Sequence, residues 1–174
     1  MKIGVISDTH LSGQGQHIPR VVLEAFKQMD LIIHAGDVVS LEVIDELRTV
    51  CSAVVVVAGN MDQDVVKKKY PLKQVLEIFG LRIGLMHGAG PALNLLPLLK
   101  KAFKGDDCDL IIFGHSHKPL QEKIEGVLFF NPGSATDSGA VYNSYGIIEL
   151  KKRLTGLGQS EESSVEIEAK IIKI

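Results

Sequence analysis

The chain carries only two cysteines, Cys51 and Cys108, in 174 residues, and they stand at no spacing that would clamp a metal or form a disulfide framework. Both are read as buried thiols. No apolar run approaches the roughly 18 residues of a bilayer-spanning helix. Asp8 also interrupts the N-terminal apolar run too early for a secretory leader. A cytoplasmic location without membrane attachment is therefore expected. Positive charge is not in excess: 21 acidic residues against 19 basic give a formal net charge of −2, so the chain exerts no broad attraction on nucleic-acid backbone or anionic lipid. The triplet Lys67-Lys68-Lys69 is read as a solvated face rather than a nucleic-acid contact. Ser12–Gln16 contains glycine but lacks the Gly-Lys-Ser/Thr ending of a phosphate-cradling loop. No internal repeat is visible. With six prolines and 45% hydrophobic residues, the composition argues against disorder and for a single domain over residues 1–174.

What is present is a series of short apolar runs with polar tips. Ile3–Ile6 leads to Asp8 and His10, Leu31–Ile33 to Asp37, and Ala53–Ala58 to Asn60. Leu81–Met86 leads to His87, Leu110–Phe113 to His115 and His117, and Val127–Phe130 to Asn131 and Ser134. The runs read as buried strands. Between them, Ile18–Gln28, Leu41–Val50 and Leu93–Phe103 have helical spacing, with Pro97 near the first turn of the last. Alternation of strand and helix over the first 115 residues predicts a parallel core sheet. From Gly126 onward the strands follow one another through turns (Val127–Phe130, Tyr145–Leu150, Val165–Ile174), which predicts a second, antiparallel or mixed sheet. Thr155–Ser164, rich in Gly, Ser and Glu, reads as a flexible connection.

In an open α/β sheet, ligands bind beyond the carboxyl ends of the strands, where every polar tip falls. Asp8-x-His10 and His115-x-His117 each place two side chains on one side if the backbone stays extended, and each pair can clamp one ion. Carboxylate oxygen with imidazole nitrogen suits Mn, Fe, Zn, Co or Ni. Two ions roughly 3.5–4 Å apart can share a hydroxide and hold two phosphate oxygens, so the pattern points to a two-metal hydrolytic site. His34, on an apolar strand, is read as a satisfied core histidine.

The ordered motifs Asp8-x-His10, Gly36-Asp37, Gly59-Asn60, His87 and Gly114-His115-x-His117, spread over Met1–Leu150, resemble the calcineurin-like metallophosphoesterases. The short length, the His87-Gly88-Ala89 segment and the Asn131-Pro132-Gly133-Ser134 loop resemble the small single-domain bacterial and archaeal phosphodiesterase branch. The resemblance implies an α/β fold, a four-layer sandwich of two mixed β-sheets flanked by α-helices. It implies two divalent ions, manganese first, with Ni, Fe, Zn or Co compatible. Asp37 would bridge them, with Asp8, His10 and His117 on one ion and Asn60, His87 and His115 on the other. The implied activity is hydrolysis of a small phosphodiester by a hydroxide shared between the ions. Asn60 would also face the phosphate, and His17, Asn131 and Ser134 are further candidates for substrate contact.

The chain departs from the family pattern at Met61, where many relatives have a histidine that protonates the leaving group. Asp62, His17 or water would then supply that proton. Close relatives also often read His-Gly-His at His87-Gly88-Ala89, and Pro-Arg at Asp137-Ser138, after the Ser134 loop. Two alternatives stay open: a phosphomonoesterase using the same site, and a non-catalytic metal-binding scaffold. The second follows from Asn131–Thr136, which resembles the retromer's metallophosphoesterase-like subunit. Association into a homo-oligomer is also left open.

Overall fold

Each of the six apolar runs is a strand in the computed structural model of the chain, which describes residues 1–13, 15–155 and 162–174. They are β1 (Lys2–Ile6), β2 (Leu31–His34), β3 (Val54–Val56), β5 (Leu81–Met86), β6 (Leu110–Ile112) and β8 (Val127–Asn131). Short branched aliphatic residues suit a pleated surface buried on both faces, and β1, β2 and β6 are almost wholly buried. Sequence reading missed β4 (Lys73–Ile78) and β7 (Leu120–Ile124). Both are half-buried edge strands whose charged residues break the apolar signal. The C-terminal strands are β9 (Ser144–Thr155) and β10 (Glu162–Lys173). Of the expected flexible connection, residues 156–161 lie outside the described residues, and its flanks belong to these strands.

The strands form two five-stranded mixed sheets, ordered β10-β9-β1-β2-β3 and β4-β5-β6-β8-β7. The first 115 residues therefore do not build one parallel sheet. β1, β2 and β3 are parallel, but β9 closes on β1 antiparallel, so the end of the chain completes the sheet that the beginning started. In the second sheet β5, β6 and β8 are parallel between antiparallel edges.

Three of the helices coincide with the expected segments: α1 (Arg20–Phe26), α2 (Leu41–Val50) and α4 (Leu95–Ala102). Pro97 sits in the first turn of α4, where its missing N–H leaves no hydrogen bond unmade. α2 starts where the Ser40 hydroxyl accepts the Glu42 amide hydrogen. A short α3 (Asp64–Lys69) carries the lysine triplet in its last turn, where cations meet the negative end of the helix dipole.

Period-two alternation along β1 decides the layering. Ile3 and Val5 face the second sheet with Ile33, Ile83, Leu85, Leu110, Ile112 and Phe130, while Ile6 faces Val22, Phe26, Ile44 and Leu47 of the helices. α4 covers the far side of the second sheet through Leu95, Leu99 and Phe103 against Ile111 and Phe129. The result is four layers with one apolar layer between the sheets and another under the helices on each side. A glycine lets a helix approach each sheet. A Cβ at Gly84 would lie 2.7 Å from Cε1 of Phe103, and one at Gly4 would lie 2.7 Å from Cε1 of Phe26. Overpacking of this kind costs about 1–3 kcal/mol. Gly84→Ala should therefore lower the free energy of unfolding by that amount in urea titrations, and an unchanged midpoint would show that α4 can shift freely.

Candidate metal centre

The loops that follow the parallel strands turn sharply, and the turns are made largely by the ligand residues themselves. Asp8 (φ 53°), His10 (48°), Asp37 (54°), His115 (69°) and His117 (55°) all adopt the left-handed conformation. Asp and His tolerate it better than most side chains, yet each such residue costs of order 1–3 kcal/mol and persists only where its surroundings fix it. This corrects the expectation that an extended backbone places Asp8 with His10 and His115 with His117. The convergence comes from consecutive turns, not from strand alternation.

Backbone hydrogen bonds hold those turns. The Asp8 amide donates to the Gly36 carbonyl at 3.0 Å, that of His10 to the Asp37 carbonyl at 3.1 Å, and that of Gly114 to the His87 carbonyl at 3.1 Å. The His115 amide donates to both carboxylate oxygens of Asp8 at 3.1 Å, joining the two sheets at their rim.

Two groups of potential ligand atoms result: Asp8, His10 and His117, and Asp8, Asp37 and His87. In the first, Nε2 of His10 and Nε2 of His117 lie 3.1 Å apart, and the latter is 3.4 Å from Asp8 Oδ1. In the second, His87 Nε2 lies 3.1 Å from Asp37 Oδ2 and 3.7 Å from Asp8 Oδ1. Asp37 Oδ2 is also 3.6 Å from His10 Nε2, so that one oxygen reaches both groups. Asp8 is the residue common to both. Asn60 and His115 stand alongside as a pair: Nδ1 of His115 lies 2.9 Å from Asn60 Oδ1, its Nε2 lies 2.7 Å from the Gly90 carbonyl, and the ring is 5.3 Å, edge to face, from that of His87. The structure thus gathers all seven expected ligands, five of them into the two tight groups.

His87 provides the test of fit for a cation. Its Nδ1 donates to the Ala35 carbonyl at 2.8 Å, which leaves Nε2 as the atom that would take a metal ion or a proton. That atom is buried, makes no hydrogen bond, and faces the two carboxylates. An orphaned buried acceptor beside two acids suits a divalent ion. The electrostatics agree. Burial pushes His87 down, but Asp37 and Asp8 outweigh it and hold the ring above the usual imidazole range. Burial likewise raises Asp37, yet His87, the Met61 amide and His10 bring it below the usual carboxylate range. Asp8 lifts His117 to about 9 against burial, assisted by Asp137. The carboxylates favour positive charge at these nitrogens, whether from protons or from a metal.

The remaining candidates separate into supports and bystanders. Asp62 is buried, and its two oxygens accept the amides of Val39 at 2.6 Å and Gly59 at 2.7 Å. Asn131, fully buried, donates to the Gly114 carbonyl and Ser116 Oγ and accepts the Gly133 amide. Ser134, fully buried, donates to the Asp8 carbonyl at 2.7 Å and accepts the amides of Thr136 and Asp137. These three brace the ligand loops from behind. His17 is 72% exposed and faces Glu46 of α2 at 3.3 Å. His34 is the satisfied core residue expected of it: Nδ1 accepts the Gly36 amide, Nε2 meets Thr9 Oγ1 at 3.1 Å, and burial depresses it to about 3. Met61 is 60% exposed beside the Asp37 carboxylate that its amide contacts.

Two residues to which the sequence reading gave no part in the site reach the centre. Lys67 donates to the Asn60 carbonyl at 2.8 Å, bringing a cation to the rim. Asp137, on a loop after β8, lies with Oδ2 2.6 Å from His117 Nδ1. A carboxylate shortly after a glycine-serine turn was the available signal, but the partner is 20 residues away in sequence.

Comparison with known proteins bears on this geometry. A family model described as the calcineurin-like phosphoesterase superfamily domain matches residues 1–153. The probable metallophosphoesterase MJ0623 of Methanocaldococcus jannaschii is 40% identical over 141 residues, covering 78% of this chain and 69% of the relative. Phosphodiesterase MJ0936 of the same organism is 30% identical over 168 residues, covering 88% and 95%. Among solved structures, a novel archaeal phosphodiesterase shares 26% identity with a TM-score of 0.69, covering 97% and 100%. Vps29 of Entamoeba histolytica complexed with zinc shares 26% identity with a TM-score of 0.70, covering 99% of both chains.

Asp137 yields a test of the centre. A carboxylate on the distal nitrogen of a ligating histidine fixes its ring, and losing such a partner typically weakens metal binding about 10–100-fold. Asp137→Asn should weaken the tighter manganese-binding step by about that factor in calorimetry while leaving thermal stability near wild type. Equal affinity would remove Asp137 from the site.

Proposed function

Because the chain belongs to the calcineurin-like phosphoesterase superfamily and is a metal-dependent phosphoesterase, we propose that it hydrolyses a small phosphodiester at a dinuclear centre built on Asp8 and Asp37. The observation that carries this reading is the buried, unpartnered Nε2 of His87 facing both carboxylates.

In this reading Asp8, His10, Asp37 and His117 hold one ion, and Asp37, Asn60, His87 and His115 hold the other. When bound, the ions supply a water nucleophile of lowered pKa and offset the charge on the phosphate oxygens. The protein positions the reactants and sets the field. Asn60, exposed at the rim, orients the phosphate, and Lys67 adds positive charge beside it. We assign Asp62 to anchoring the Val39 and Gly59 loops, since both its oxygens are occupied by amides, and Asn131 and Ser134 to bracing the Gly114 and Asp8 turns. Water then protonates the leaving group. Manganese is the ion we propose first, on the mixed oxygen and nitrogen donor set.

A diester is favoured over a monoester by charge. The second negative charge of a monoester calls for a bidentate cation such as arginine, which the single point charge of Lys67 does not replace. The four arginines are engaged elsewhere: Arg20 with Glu24, Arg48 with Asp45, Arg82 with the Asp106 carbonyl and Arg153 with Glu166. A scaffold role is the second reading, supported by the likeness to Vps29 and by Met61.

Metal-stripped protein reconstituted with manganese should turn over bis-p-nitrophenyl phosphate faster than p-nitrophenyl phosphate. Silence with every divalent metal despite two bound ions would favour the scaffold. Asp37→Asn should lower metal occupancy and turnover together, by at least about 100-fold in kcat/KM if its charge is shared by both ions. Normal turnover with two bound metals in that variant would sink the dinuclear assignment. Met61→His should raise turnover of esters with poor leaving groups more than of p-nitrophenyl esters; an equal gain on both would show that protonation does not limit the rate.

A further inference from the structure

Behind His117 the rim opens into a cleft of about 310 Å³, within the size range of small-ligand sites. His117 is shared between cleft and metal centre: its Nε2 faces Asp8 and His10, while its ring and its partner Asp137 line the cleft. The opposite walls are Pro119, Ala140, Val141 and Tyr142.

The polar side chains in this lining are largely engaged. Asp137 Oδ1 accepts the Gly139 amide and its Oδ2 meets His117. Ser116 Oγ contacts the Lys118 backbone and Asn131. Lys118 and Asp137 put one charge of each sign in the lining. What it offers is apolar surface. Val141 is 98% exposed, so its isopropyl group contributes nothing to the core. Lys173 Nζ lies 4.8 Å from the Tyr142 ring centroid, a cation–π contact that orients the ring.

We propose that this cleft is the subsite for one ester substituent of the phosphodiester, and that the substituent is uncharged and apolar or aromatic. The inference rests on the phosphodiesterase reading and names its substrate class. A diester has two substituents and one negative charge. With the phosphate at the ions, one substituent must leave the rim, and the cleft beyond His117 gives it an apolar surface contiguous with the centre.

Phenylphosphonate and methylphosphonate carry the same anionic head and differ only in what the cleft would hold. With the manganese-loaded full chain, calorimetry should show phenylphosphonate binding about tenfold tighter. Val141→Asp should bring the two affinities close to equal, since the added charge weakens both heads alike and only the ratio reads the cleft. Equal affinities in the wild type, no measurable binding of either, or a preference that survives Val141→Asp would overturn the proposal. Turnover of phenyl and methyl p-nitrophenyl phosphate distinguishes failure of the functional reading: a protein that hydrolyses neither, yet keeps the Val141-dependent preference, has the cleft but not the activity.

Discussion

Asp8 is the constraint on which the site depends. Its carboxylate is fully buried, and burying an isolated charge is prohibitive unless it is paired or hydrogen-bonded. Here it takes the His115 amide on both oxygens and faces three imidazoles. Its own amide and carbonyl are used as well, toward Gly36 and Ser134. One residue at the end of β1 therefore ties together the loops after β2, β6 and β8, drawn from both sheets. The remaining electrostatic demand of the centre is for positive charge, which is why a cation belongs there.

The left-handed turns follow from the same demand. Five of the expected ligand residues in a sparsely populated conformation represent stored strain of several kcal/mol in total. Nothing in those loops compensates by packing alone. The compensation is the brace of buried polar groups beneath them: Asp62 under the Val39 and Gly59 amides, His34 under Thr9 and Gly36, and Ser134 under Asp8. A side chain could not be added freely within this lattice. At Gly36 (φ 97°) a Cβ would also lie 2.6 Å from Nδ1 of the His87 ring.

Which residues converge was legible in the sequence, because a polar tip after an apolar run can only lie at a strand end. How they converge was not. Left-handed conformations at Asp and His leave no local signature, so the alternation argument paired Asp8 with His10 through the wrong geometry, and paired His115 with His117 although only His117 joins Asp8 and His10. The sheets show the same division. Six strands were visible as apolar runs, but the partition was not, because the return of β9 onto β1 spans the whole chain and is set by packing between Ile148 and the inner layer rather than by any local pattern. Edge strands β4 and β7 were invisible because solvent permits charge on one side. Asn131 and Ser134 drew attention as strand-tip polar residues. Burial separates such residues into those that face substrate and those that hold the turns, and burial at a tip depends on what later segments cover.

Asp137 joins the two halves of the functional argument. Its carboxylate meets the outer nitrogen of His117 at 2.6 Å, and the next residue, Ser138, brings no positive charge to the loop. Serine cannot grip a dianion, while Asp137 holds the ring of a histidine that faces Asp8. The same loop then continues through Ala140, Val141 and Tyr142 to form an apolar wall. In the proposed reading, a site without an arginine on this loop draws binding energy from elsewhere on the substrate, and the adjoining surface suited to supply it is apolar. In the proposed reading, the uncharged Ser138 and the apolar wall beyond it describe one specificity, for a singly charged ester whose recognition lies in its substituent rather than in its phosphate.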